Sequence, residues 1–92
     1  MKRQRFASVW DALCDTPEEA ANLTARSDVM IQIMQIVKKS RWTQAEAARQ
    51  CGVSQPRIND LLRGRIDRFS LDALVNIATA LGRKVRITLR AA

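Results

Sequence analysis

The stretch "TQAEAARQCGVSQPRINDLLRG", residues 43–64, predicts two short helices that are joined by a tight turn. Thr43 and Glu46 have the spacing of a capping box at the start of the first helix. Gly52 marks the turn, because glycine tolerates the left-handed backbone of a helix end. Ala48, four residues before Gly52, is small enough to let the helices cross closely. Two helices arranged in this way form a helix–turn–helix.

A proline stands where the second of these helices begins. Pro56 falls in the first turn, where backbone N–H groups have no intrahelical partner, so its missing donor costs little and its fixed φ suits the helix. The residue before a proline is pushed away from helical angles, which leaves Ser54 or Gln55 as the N-cap. On a helical wheel three apolar residues face inward: Ile58, Leu61 and Leu62.

The flanking segments predict further helices and one strand. Residues 6–13 carry apolar side chains at the spacing of a short amphipathic helix. A second helix begins near residue 17 and either runs on or breaks near Thr24, and another lies between Ser70 and Gly82. The tail "KVRITLR", residues 84–90, alternates apolar and polar residues as a strand does. The predicted fold class is therefore an all-α, compact helix–turn–helix bundle with an N-terminal helical extension and one C-terminal β-strand.

The length of 92 residues corresponds to a single domain. We divide it into an N-terminal helical extension for partner contact (1–23), a helix–turn–helix domain (24–82), and a C-terminal strand and tail for dimerisation (83–92).

Charge indicates the class of partner. Sixteen Lys and Arg residues oppose nine Asp and Glu residues, which gives a net charge of +7. From residue 54 onward only three acids are present, and the basic residues there are Arg57, Arg63, Arg65, Arg68, Arg83, Lys84, Arg86 and Arg90. A basic half of this kind implies a polyanion. Nucleic acid is favoured over a membrane surface, because no basic amphipathic helix has a bulky apolar face left free.

Several function classes are disfavoured by composition. The chain has no histidine, the commonest metal ligand and general base, and Cys14 and Cys51 fit no metal spacing. We therefore expect no metal, no cofactor and no enzymatic activity. No run of 18 apolar residues exists to span a membrane, so the expected location is the cytoplasm, on the bacterial nucleoid. Cys51 is interpreted as a buried structural thiol, with a redox switch as the alternative.

The second helix of the pair is predicted to enter the major groove of double-stranded DNA with its N-terminal residues at base edges. Gln55 suits adenine, Arg57 suits guanine, and Asn59 suits a base or a phosphate. Asp60 either accepts from cytosine or pairs with Arg57 or Arg63. The full set of predicted DNA-binding residues is Thr43, Gln44, Ser54, Gln55, Pro56, Arg57, Asn59, Arg63 and Arg65, of which Gln44, Arg63 and Arg65 suit phosphates.

These residues carry a family resemblance. The sequence from Thr43 to Gly82 resembles the Cro/cI-type (XRE family) helix–turn–helix, and the likeness extends over residues 27–82. The matching features are Gln44, Ala48, Gly52, "VSQ" at 53–55, Ile58, Leu61 and Gly64. The resemblance implies a lambda-repressor-like fold and sequence-specific DNA binding. Many XRE domains have a fifth helix where this sequence predicts a strand after Gly82.

The segments "FASVWDAL" and "TPEEAANL" and the end "FSLDALV…LG" resemble a narrower group, the HigA-like antitoxins of toxin–antitoxin pairs. That resemblance implies a repressor that autoregulates its operon and neutralises a RelE/HigB-type toxin. The alternative is a stand-alone XRE-family regulator with no toxin partner. The apolar face that would contact a toxin as a helix in a groove, or else fold onto the chain's own core, is Phe6, Val9, Trp10 and Leu13. An RNA-binding function lacks an aromatic stacking platform.

The tail also predicts a symmetric homodimer. Val85, Ile87 and Leu89 lie on one side of the predicted strand and are the expected dimer interface. A two-fold axis would set two recognition helices about 34 Å apart on a near-palindromic operator.

Overall fold

A computed structural model of the chain describes Trp10 and residues 12–91. The main helices within these residues are α1 (Pro17–Ser40), α2 (Gln44–Cys51), α3 (Gln55–Leu62) and α4 (Leu71–Ala80), with a 3-10 turn (Ile66–Arg68) between α3 and α4. The described part of the chain is therefore all-helical, and the predicted helix–turn–helix bundle is confirmed.

Helix α1 begins where the sequence predicts, near residue 17. Of the two predicted alternatives, a helix that runs on and a helix that breaks near Thr24, the structure has the first. The hydroxyl of Thr16 accepts the backbone N–H of Glu19 at 3.1 Å, and Pro17 occupies the first turn. The helix continues without a break through Thr24, whose hydroxyl donates to the carbonyl of Ala20 at 2.8 Å. A break near Thr24 is thus wrong, because the threonine satisfies its hydroxyl within the helix. The division at residues 23 and 24 stays a prediction, but α1 crosses it.

The turn between α2 and α3 depends on glycine for its backbone conformation. Gly52 has φ +70°, and its N–H and that of Val53 bond back to the carbonyls of Arg49 (3.2 Å) and Ala48 (3.0 Å). An added Cβ at Gly52 would lie 3.8 Å from the Cβ of Ala80, an ordinary contact. The left-handed φ rather than crowding therefore explains the glycine.

One apolar core holds the helices together. It is formed by the inner faces of all four helices and by Phe69, which follows the 3-10 turn. Its fully or almost fully buried members include Met30, Ile33, Val37, Ala47, Ala48, Cys51, Ile58, Leu61, Phe69, Leu74, Ile77 and Ala78. The inward positions of Ile58 and Leu61 on α3 are confirmed, while Leu62 is half-buried.

The C-terminal strand is wrong for this chain. Residues 83–91 form neither helix nor strand, although the backbone N–H of Arg83 still bonds to the carbonyl of Ala78 at 2.9 Å. Val85 packs against the core, whereas Ile87 and Leu89 are 65% and 92% exposed. Alternation describes which way side chains point, but a strand also needs a neighbour for its N–H and C=O groups. Within residues 12–91 no strand is present to supply one.

Candidate nucleic-acid interface

Helix α3 presents a polar first turn opposite its buried face. Gln55 and Pro56 are exposed, and Asn59 one turn later is half-buried. The hydroxyl of Ser54 accepts the backbone N–H of Arg57 at 3.3 Å, so Ser54 is the N-cap that the sequence left open between two residues. Because the serine fixes the start of the helix, the side chains of its first turn have defined directions.

The start of α2 offers a second exposed set of polar groups. Thr43 caps the helix by accepting the backbone N–H of Glu46 at 3.2 Å, and both Thr43 and Gln44 are exposed. The carboxylate of Glu46 does not return to the cap. It accepts hydrogen bonds from Arg49 (2.6 Å) and Gln50 (2.9 Å), and these bonds hold the pKa of Glu46 below its usual value. Half of the predicted capping box is therefore present.

Asp60 forms ion pairs, but not with the predicted partners. Its carboxylate lies 3.4 Å from the guanidinium of Arg68 and 3.8 Å from that of Arg65. The prediction considered only arginines on the same helix, Arg57 and Arg63, whereas the 3-10 turn brings in two that follow α3. Arg65 is half-buried beside this carboxylate, whereas Arg63 is exposed.

Arg57, predicted to read guanine, is half-buried and contacts residues of its own chain. Its guanidinium carbon lies 4.1 Å from the centre of the Phe69 ring, and its Nη1 donates to the carbonyl oxygen of Arg68 at 2.6 Å. The Phe69 side chain is only 1% exposed. A role for Arg57 at a base stays a prediction. A base contact would compete with these two contacts for the same guanidinium.

A second arginine, on α1, contacts the segment from Ile66 to Phe69 that Arg57 also contacts. Nη1 of Arg26, on α1, donates to the carbonyl oxygens of Phe69 (3.2 Å) and Ile66 (3.4 Å). Neither Arg26 nor Phe69 was singled out from the sequence, because the contacts join residues about 40 positions apart. The one available signal was an aromatic residue directly before a predicted N-cap, Ser70, which is typical of a side chain that packs back onto the core.

The N-terminal segment contacts α1 of its own chain. The indole Nε1 of Trp10 donates to the hydroxyl of Ser27 at 3.0 Å, and Ser27 is buried. Leu13, from the same predicted apolar face, is 70% exposed. Phe6 and Val9 lie outside the described residues. Of the four residues predicted to contact a toxin, Trp10 is thus already packed in cis and Leu13 is accessible.

Cys51 is buried in the core beside the turn, and burial raises the pKa of its thiol. The predicted burial of Cys51 is thus confirmed, and its role as a structural thiol rather than a redox switch stays a prediction, which burial favours. Among Trp10 and residues 12–91, no helix is both long and apolar enough to cross a membrane.

Comparisons with known proteins agree with this architecture. The structure of an XRE family transcriptional regulator is similar over 77% of this chain and 80% of its own, with 24% sequence identity and a TM-score of 0.70, a likeness that shows a shared fold. Comparison with curated proteins finds no match. The family model described as a helix-turn-helix domain matches residues 12–90, which is most of the chain. The chain therefore belongs to the helix-turn-helix domain family.

Proposed function

We propose that this chain is a sequence-specific DNA-binding transcriptional repressor that acts on the bacterial nucleoid, with α3 as its recognition helix. The observation that carries the proposal is the exposed, capped first turn of α3, in which Gln55 and Pro56 remain accessible while Ile58 and Leu61 are buried. A helix of this kind fits the major groove with its N-terminal side chains at base edges. The similar XRE structure bears the name of a transcriptional regulator, which supports the same activity.

The polar residues divide into base and phosphate contacts. We assign Gln55 to adenine, because its amide N–H can donate to N7 and its amide oxygen can accept from the N6 amino group, and we assign Asn59 to a neighbouring base or phosphate. The exposed helix start at Thr43 and Gln44, with Ser54, suits phosphate oxygens. Arg63 and Arg65 supply positive charge near the end of α3, and Arg63 is the more exposed of the two.

Replacing Gln55 and Arg63 separately tests this division. Gln55→Ala should cost about 1–3 kcal/mol on a duplex that the wild-type protein selects from a random pool, and should relax preference at one base pair. Arg63→Ala should weaken binding to selected and random duplexes alike and lower the salt slope by about 1. Fluorescence titration at several salt concentrations measures both effects. If the two variants lose affinity equally on selected and random DNA, α3 does not read bases.

We further propose that the repressor is a symmetric homodimer on a near-palindromic operator. One helix–turn–helix contacts only a half-site, and a two-fold axis doubles the contacts. The tail supports this proposal, because Val85 packs against the core, Ile87 lines a groove along α1 and is still exposed, and Leu89 is exposed as well. Large apolar side chains in this position are suited to contact a second copy.

A second candidate function is neutralisation of a RelE/HigB-type protein toxin, as an antitoxin that autoregulates its operon. The observation that favours it is Leu13, which exposes 70% of its surface beside the docked Trp10. The competing candidate is a stand-alone regulator, for which no partner at this surface is needed.

Leu13→Asp tests the toxin candidate. It should abolish growth rescue in cells that express a toxin encoded beside this chain, because a buried carboxylate without a partner opposes binding. Operator binding should be unchanged. Ala12→Asp adds the same charge at the adjacent exposed residue and serves as the control. Full rescue by the Leu13 variant would place any toxin surface elsewhere.

A further inference from the structure

We infer that Arg57 is a positioning residue that orients α3 for DNA recognition through Phe69, and that it does not itself contact a base. The inference rests on the proposed function, since it concerns how the recognition helix is held. It replaces the role that the sequence suggested for this arginine.

The guanidinium of Arg57 is committed on two sides. One face covers the Phe69 ring at 4.1 Å, and Nη1 donates to the carbonyl oxygen of Arg68 at 2.6 Å. Bidentate reading of guanine needs two N–H groups that point away from the protein into the groove. A guanidinium that turned toward DNA would give up both contacts and leave the carbonyl and the aromatic face without their partner.

The segment that Arg57 contacts, which contains Arg68 and Phe69, is also hydrogen-bonded to α1. Arg26 on α1 donates to the carbonyl oxygens of Ile66 and Phe69, at 3.4 and 3.2 Å. The segment from Ile66 to Phe69 is therefore held by one arginine from α1 and another from α3. Asp60 adds a further link from α3, because its carboxylate pairs with Arg68 at 3.4 Å. Through this segment the orientation of α3 depends on α1.

Arginine is suited to this task in a way that lysine is not. A planar guanidinium can stack on an aromatic ring and donate in its own plane at the same time, whereas an ammonium is a point charge on a flexible stem. The position of Arg57, directly before the buried Ile58, directs its side chain along the flank of α3. Gln55 and Pro56 in the first turn are left to face outward.

If Arg57 is replaced, a positioning role and a base-reading role predict different losses of DNA affinity and of discrimination between base pairs. Recognition requires side chains held within about 0.5 Å of their productive positions, so a small tilt of α3 disturbs all base contacts together. Loss of one base-reading side chain instead relaxes preference at one base pair. Loss of a phosphate contact weakens binding to all sequences and lowers the salt slope.

A double-mutant cycle separates these roles, with three DNA probes: a duplex that the wild-type protein selects from a random pool, its single-base-pair variants, and an unselected duplex. Arg57→Ala should bind the selected duplex about tenfold more weakly, with discrimination reduced at several base pairs. Its affinity and salt slope on the unselected duplex should not change. In a Phe69→Leu background, Arg57→Ala should add less than about a twofold loss, since the ring through which it acts is gone. Arg57→Lys should restore only part of the discrimination.

Proton chemical shifts provide a readout that does not depend on a variant's folding. A guanidinium over an aromatic ring has side-chain protons shifted upfield, and this shift should persist when the wild-type protein binds the selected duplex. Loss of the shift on binding would overturn the inference, as would a relaxation confined to one base pair or an equal loss on both duplexes. If the wild-type protein selects no duplex, the proposed function itself fails, which is a distinct result.

Discussion

Leu61→Ala should lower the free energy of unfolding by about 2–5 kcal/mol, because a fully buried leucine leaves a cavity that its neighbours fill only in part. Leu61 is 0% exposed and lies on the inner face of α3. Small domains have a total stability of about 5–15 kcal/mol, so the loss is a large share of it. Urea denaturation followed by circular dichroism measures the change, and the midpoint should fall without a change in slope.

Leu13→Ala is the matched control for this prediction. It removes the same atoms from a leucine that is 70% exposed, so the free energy of unfolding should change by no more than about 0.5 kcal/mol. Equal losses in the two variants would show that the core does not depend on the inward face of α3. The comparison also tests how the helix–turn–helix is assembled, because Leu61 joins α3 to the rest of the core.

The helix–turn–helix could be predicted because its determinants are local. The cap at Thr43, the left-handed turn at Gly52 and the proline in the first turn of α3 each act within a few residues. The inward positions of Ile58 and Leu61 follow from helical periodicity alone. The same wheel placed Pro56 outward and Gln55 on a flank, and both are exposed, whereas Asn59 and Asp60, also placed outward, are half-buried.

What could not be predicted depends on contacts between distant parts of the chain. Arg57 has the composition of a base reader, and only the fold brings Phe69 beneath it. Asp60 found its partners beyond the end of its own helix, and Arg26 reaches carbonyls some 40 residues away. The tail has the side-chain pattern of a strand, but pattern cannot supply a neighbour for its backbone. Sequence reasoning thus predicted the exposed first turn of α3 and missed the contacts that fix the orientation of this helix.

The second large effect concerns assembly. Ile87→Asp should convert the proposed dimer into monomers, because it replaces a large apolar side chain by a smaller charged one that must lose its hydration at the proposed contact. A monomer contacts one half-site, so affinity for the selected duplex should fall toward that for random DNA, by about a thousandfold or more. Light scattering measures the mass, and fluorescence titration measures both affinities.

The choice of Ile87 follows from how the tail is held. Val85 packs against the core and Ile87 (65% exposed) lines the groove along α1, whereas Leu89 is 92% exposed and does not line that groove. Ala91→Asp adds the same charge at an exposed tail residue that does not line the groove, and should leave mass and affinity unchanged. A dimer that survives Ile87→Asp would move the interface away from the tail. A monomer that keeps full operator affinity would instead show that one α3, oriented by its own domain, recognises the site without a partner.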